Sequence, residues 1–386
     1  MSQRAPQRMR RSGSGRAPRR VRALGLAVLA AAGAGCAGER SPDLVIVTID
    51  TLRADRTGLH GRTPSSTPFL DALARESVVF EQAYAPSPWT LPSTVSLMTS
   101  LPLCRHGVAI DGETIDATVR PLAERLAARG RATASFFANP YAGEMSGLDR
   151  GFQTSRLVPA ADARVVGRWL ETVGSRPFFL YLHNVEPHDP YSGAAPGVSV
   201  RGTARANRLL ARHRELTRQD WLAGRPPGTT RNEEAQAAVR QRLAAQRPRI
   251  ERLYAGDVRL ADGVLASVVS ELRRRGRLDR TLLVVVSDHG EALGEHDGWQ
   301  HDHALYEEVV RVPFLMRLPD GAHAGRRIEA PVSLLDVVPT VAELLGAPEL
   351  AEGAAGRSLV PWIEGEPPAG AAPRVVSTRW NRKKYY

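Results

Sequence analysis

Lysine is nearly missing from this chain. Of 52 basic residues only two, Lys383 and Lys384, are lysine, so positive charge rests on arginine. Cysteine is equally scarce, with Cys36 and Cys104 alone. Once Cys36 is processed or modified, Cys104 has no partner, which excludes an internal disulfide even in an oxidising compartment. Aromatic residues make up 6% of the chain. None interleaves with the arginines near the N-terminus, as a groove for single-stranded nucleic acid requires. The apolar run Ala23–Ala34 is too short to span a bilayer as a mature helix. No internal repeat is visible.

What is present is ordinary in bulk. The 386 residues suffice for a large core, in one big domain or two smaller ones. Apolar content is 42% and charged content 24%, as in globular proteins generally. The net charge of +11 is mostly a tail: residues 1–22 carry eight Arg and no acid, and the rest is only weakly basic at +3. No nucleic-acid partner is therefore expected. The tail followed by ALGLAVLAAAGA reads as an export leader over 1–36. Cys36 in GAGC resembles a bacterial lipoprotein cleavage box, although Gly33 stands where Leu is usual. Lipid attachment through Cys36 and simple cleavage nearby both stay open, as does a disordered basic N-terminus. The expected location is periplasmic, extracellular or lipid-anchored at the cell envelope.

Four runs share one plan: apolar, β-rich, then polar at the C-terminal end. They are DLVIVTID from Asp43, RATASFFANP, PFFLYLHN and TLLVVVSDH. Such runs predict buried strands of a largely parallel sheet. Helices are predicted between them. Thr67-Pro68 opens one. Val119, Leu122 and Leu126 line another, closed by Gly130. Leu253, Asp257, Leu260, Val264, Val268 and Leu272 mark a longer one before Gly276. SLLDVVPTVAELLG forms a last one, with Pro339 early in it or kinking it. This alternation implies an α/β sandwich. The main domain is expected over 40–363. Residues 192–249, with twelve Arg against four acids, read as a helical surface insertion that is either a solvated face or a wall of the substrate entrance. A linker and a short strand, VVSTRW, are expected within 364–386.

In open α/β sheets ligands gather beyond the carboxyl ends of the strands. Asp50 ends the first predicted strand, and Asp288 and His289 end the TLLVVV strand. His183 and His188 follow PFFLYL. The stretch Ser287–His303 holds four of the ten histidines and five acids. Two carboxylates and an imidazole suit Ca²⁺, Mn²⁺, Mg²⁺ or Zn²⁺. In SPWTLPSTVSLMTS, Thr90 opens a helix with Pro92 just inside it. A hydroxyl there sits at the positive helix end, suited to an alkoxide or an anionic ester; the plainer role is a structural cap.

Four segments together resemble the sulfatases of the alkaline phosphatase superfamily. They are LVIVTIDTLRADRTGLHG, STPFLDALARESVVFEQAYAPSPWTLPSTVSLMTSLPLCRHGV, FFLYLHNVEPHDPY and TLLVVVSDHGEALGEHDGWQHDHALYEEVVRVPFLMRLP. They occur in the family order across most of 43–346. The resemblance implies a central, mostly parallel sheet flanked by helices, with a C-terminal segment shorter than many relatives have and open to a reading as truncated. It implies Asp50, Asp288 and His289 as metal ligands and Thr90 at the nucleophile's position. His188 would meet the leaving group or a transferred oxygen, and His301 the ester anion. His106 and Asn139 are weaker supporting candidates. His296 and His303 are expected as supporting or surface groups, and His60, His213 and His323 as solvated.

Three departures bear on activity. Thr51 follows Asp50, where typical sulfatases carry a second acid. The formylglycine motif Cys-x-Pro-x-Arg reads Thr90-Leu91-Pro92-Ser93-Thr94, without the convertible residue or the Arg. The family's active-site lysines are missing. A Thr nucleophile beside an Asp-His pair is instead similar to the phosphotransferase branch, such as lipoteichoic acid synthases and phosphoethanolamine transferases. The resulting expectation is a metal-dependent hydrolase of an anionic sulfate or phosphate ester, with phosphoester chemistry favoured by Thr90. A transferase to an alcohol acceptor and a non-catalytic binder of anionic glycans are the alternatives. The oligomeric state stays open.

Overall fold

The computed structural model describes residues 41–222, 233–302, 304–367, 375–381 and 384–385. The predicted leader and Cys36 lie outside them. All four predicted strands form: β1 (Asp43–Ile49), β3 (Ala132–Phe137), β5 (Phe178–Asn184) and β6 (Thr281–Val286). They are joined by β2 (Val78–Tyr84), β4 (Thr154–Leu157), β7 (Arg311–Arg317), β8 (Arg327–Ile328) and β9 (Val332–Ser333). The sheet runs β8-β2-β7-β6-β1-β5-β3-β4, with β9 also on β2. β1 lies parallel to both β5 and β6, and only β7 runs against its neighbours.

Every residue of β1 is buried, because helices cover both faces of the sheet. Side chains alternate between faces along a strand. Val45, Val47 and Ile49 therefore join one core, and Leu44 and Ile46 the other. The first core lies under α1 (Pro68–Ala74), α3 (Ala163–Val173), α4 (Val200–Leu222) and α5 (Glu233–Arg274). The second lies under α2 (Thr90–Thr99) and α6 (Val337–Leu344). Each fully buried aliphatic side chain contributes about 1.5–3 kcal/mol.

Several expectations need correction. Residues 192–249 are not merely a solvated face. Ala206, Leu210, Leu216, Val239 and Leu243 are buried in the first core. The helix expected near Leu253 begins upstream at Glu233 and runs through Pro248, because those apolar side chains continue its buried stripe. Leu260, counted in that stripe, is exposed. VVSTRW is mostly irregular, and only Trp380–Asn381 pairs, with Lys384–Tyr385. Among the described residues no helix is long and apolar enough to cross a membrane.

Candidate active site

Register brings three strand ends to one edge. Thr48 of β1 lies beside His183 of β5 and Val286 of β6. Asp50 follows β1, and its N–H donates to the Asn184 carbonyl at 2.8 Å. Ser287, Asp288 and His289 turn across the edge after β6. The Ser287 hydroxyl donates to the His289 carbonyl at 2.6 Å and accepts from Leu52 N–H at 2.9 Å. Ser93 Oγ donates to the Asp288 carbonyl at 2.6 Å, which pins α2 to this turn.

Asp50, Asp288 and His289 are fully buried, and one donor atom from each lies within 4.8 Å of the others. His289 Nδ1 sits 2.9 Å from the Gly290 carbonyl. A carbonyl only accepts, so Nδ1 carries the proton and the neutral ring turns a lone pair outward at Nε2. That lone pair faces Asp50 Oδ1 at 3.3 Å and Asp288 Oδ2 at 3.7 Å. Asp50 Oδ1 is buried without a hydrogen-bond partner. Three converging lone pairs in a dry site call for a cation between them, and the donor set fits a divalent metal.

Thr90 is the first residue of α2, after an extended Trp89. Its Oγ1 lies 3.2 Å from His289 Nε2 and 3.5 Å from Asp50 Oδ2. Asn139 Nδ2 donates to Thr90 Oγ1 at 3.2 Å and to Asp50 Oδ2 at 3.0 Å. Thr51 turns away: its hydroxyl bonds the Asp50 carbonyl at 2.7 Å, on a backbone with φ of 58°. It adds no carboxylate to the triad. Thr94 turns its hydroxyl back onto the Thr90 carbonyl one turn earlier at 2.7 Å, a bond within its own helix.

His301 and His188 complete the cluster. The His301 ring centroid is 4.5 Å from that of His289 and 5.0 Å from that of His188. His301 Nδ1 contacts Glu291 Oε1 at 3.1 Å. Burial, then the charges of Asp189 and Asp50, push the Glu291 carboxyl well above its usual range. Burial also penalises a charged His183, but its 3.4 Å contact with Asp288 outweighs this and raises its pKa.

Other candidates fall elsewhere. His106 is buried between Ser96 Oγ at 3.0 Å and Val108 N–H at 3.1 Å, a structural role. His296 is stacked on Tyr306 and paired with Glu308. His323 is exposed, whereas His213 is buried against Gln300 and His60 is partly buried against Thr57. His303 lies outside the described residues. Glu291, Asp189, Gln300 and Arg214 carried no assigned role in the sequence. Asp189 stood beside His188 in PHDPY, but its burial is a tertiary fact.

A family model described as sulfatase matches residues 42–347. Arylsulfatase K of Danio rerio is 38% identical over 102 residues, 26% of this chain and 19% of that protein. That match spans well under two-thirds of the relative. N-acetylglucosamine-6-O-sulfatase of Bacteroides thetaiotaomicron is 22% identical over 426 residues, 90% of this chain and 74% of that protein. The phosphonate monoester hydrolase of Agrobacterium radiobacter shares the fold, with a TM-score of 0.63 at 21% identity, covering 88% of this chain and 80% of that one. With the family model spanning most of its length over the strand-end arrangement described above, this chain belongs to the sulfatase family.

Proposed function

We propose that this protein hydrolyses an anionic sulfate or phosphate ester through Thr90, with phosphoester chemistry favoured. One observation carries the reading: the Thr90 hydroxyl heads α2 within 3.5 Å of Asp50 Oδ2, His289 Nε2 and Asn139 Nδ2. Asp50, Asp288 and His289 would hold the metal, as Ca²⁺, Mn²⁺, Mg²⁺ or Zn²⁺. When bound it supplies positive charge that lowers the Thr90 pKa and neutralises the ester anion. Asn139 holds the Thr90 oxygen in place, and the hydroxyl proton faces Asp50 Oδ2. Thr90 Oγ bonds to phosphorus as the leaving oxygen departs with a proton from His188 or His301. Water then gives a proton to the same histidine and attacks phosphorus, and Thr90 leaves with the proton it had passed to Asp50.

Threonine favours phosphorus for a structural reason. A hydrated formylglycine has two hydroxyls on one carbon and can expel sulfate by C–O cleavage. Thr90 has one, so a sulfated Thr90 requires water to attack sulfur directly. A phosphorylated Thr90 is released by attack at phosphorus. The phosphonate hydrolase of Agrobacterium radiobacter supports phosphorus chemistry on this fold, and the Bacteroides relative's name supports a sulfated substrate. The same reading places the mature protein outside the cytoplasm, with Cys36 as its membrane attachment when lipidated.

Paired kinetics on p-nitrophenyl phosphate and p-nitrophenyl sulfate, with mass spectrometry of trapped enzyme, test this. Phosphate turnover should be the faster, with an adduct on Thr90. Thr90→Ala should lower it by several orders of magnitude, on the order of the loss of a covalent nucleophile elsewhere. Faster sulfate turnover that survives Thr90→Ala refutes both assignments.

A further inference from the structure

Resting on that reading, we propose that helix α4 belongs to the active centre: its Arg214 and His213, acting through Asp189 and Gln300, position His188 and His301. Asp189 follows His188 and is only 3% exposed. A carboxylate so buried requires pairing. Its Oδ2 forms an ion pair with Arg214 Nη2 and accepts from Gln300 Nε2 at 3.0 Å. His188 Nδ1 contacts the Asp189 carbonyl and lies 3.8 Å from Asp189 Oδ1.

Gln300 precedes His301 and is likewise buried, with φ of 70°. Its other amide end, Oε1, lies 3.3 Å from His213 Nδ1. One carboxylate–amide contact therefore joins the backbone neighbours of two histidines whose rings are 5.0 Å apart. Helix α4 grips both partners, Asp189 through Arg214 and Gln300 through His213. Asn207, nearly two turns earlier, makes a third grip. It accepts from Tyr191 N–H at 3.0 Å and donates to the Tyr191 carbonyl at 2.9 Å. Ala206 and Leu210, on the same face of the helix as these residues, and Leu216 are buried in the core, so these grips act from a fixed base.

A misplacement of about 1 Å in a reacting group can cost a hundredfold in rate. Removing Arg214 leaves the buried Asp189 charge without its cation and held by Gln300 alone, which should release the turn that carries His188. Arg214 is half exposed, so its substitution is compatible with folding. The competing role is a direct contact with the substrate anion. The two differ in kinetics: positioning changes kcat, and anion binding changes KM.

The test uses full-length protein with p-nitrophenyl phosphate and p-nitrophenyl sulfate. Arg214→Ala should lower kcat by about 10–100-fold, the range for groups that orient a reacting shell, with little change in KM. Arg214→Lys should restore part of the loss. In a His188→Ala/His301→Ala background, Arg214→Ala should change kcat/KM by less than about twofold, because coupled residues are non-additive. An equal loss in both backgrounds, or a change in KM alone, overturns the proposal. Imidazole NMR reads the clamp without turnover: Arg214→Ala should move the His188 and His301 signals and leave His106 and His323 in place. Unmoved His188 and His301 signals overturn it too, and Gln300→Leu repeats the measurement from the other partner. If wild type turns over neither ester, or the double histidine variant keeps full rate, the proposed function fails while the NMR still decides the clamp.

Discussion

Asp288→Asn separates a metal ligand from a structural acid. The substitution keeps the shape and one oxygen but removes one of two negative charges in a dry site. At a separation of about 5 Å and an effective dielectric of 20, each pair of unit charges interacts by about 3 kcal/mol. A divalent ion should therefore lose at least about a hundredfold in affinity, since 1.4 kcal/mol is tenfold. At metal concentrations a hundred times the wild-type Kd, binding stabilises the fold by about 2.7 kcal/mol. For a chain of this size that is about 3 °C in Tm. The variant at the same concentration sits near its own Kd and gains about 0.4 kcal/mol, under about 1 °C. Differential scanning calorimetry with metal and with chelator measures each shift within one variant, so baseline stability cancels. Metal analysis of the purified proteins gives the stoichiometry. A full metal-dependent shift and unchanged stoichiometry in Asp288→Asn would refute the ligand assignment.

Two further outcomes follow from the same geometry. Burial lowers the His106 pKa to about 4, and Val108 N–H occupies the Nδ1 lone pair that a second proton needs. The folded pKa thus lies below the unfolded value of about 6.5, so the stability His106 contributes is present above about 6.5 and lost as pH falls through about 4. Urea midpoints at pH 7 and 4.5 should fall less for His106→Gln than for wild type, and equal falls contradict the reasoning. A methyl group on Gly290 would lie 2.1 Å from the Glu308 carbonyl oxygen. Backbone cannot yield cheaply there, so Gly290→Ala should displace the His289 turn and weaken metal binding by calorimetric titration; unaltered affinity argues against a tight turn.

Strand identity and strand ends were legible in the sequence. Runs such as DLVIVTID and TLLVVVSDH combine continuous apolar character with a terminal acid, and a strand buried on both faces permits little else. Thr67-Pro68 and the Thr90 helix start were legible because capping and proline rules are local. The ordered motifs carried the family resemblance, and with it Asp50, Thr90, Asp288 and His289 as candidates. Other features depended on side chains meeting across the chain. The buried stripe of α4 and α5 is diluted by arginines, so composition suggested a solvated face where the fold made core. Asn139 reaches Thr90 only because β3 lies two strands from β1, beyond β5. Glu291, Asp189, Gln300 and Arg214 carry no local signal. An acid or amide is exposed or buried, and paired or unpaired, only once distant segments pack around it. Local chemistry can be read along a chain, whereas desolvation and orientation are properties of the folded neighbourhood.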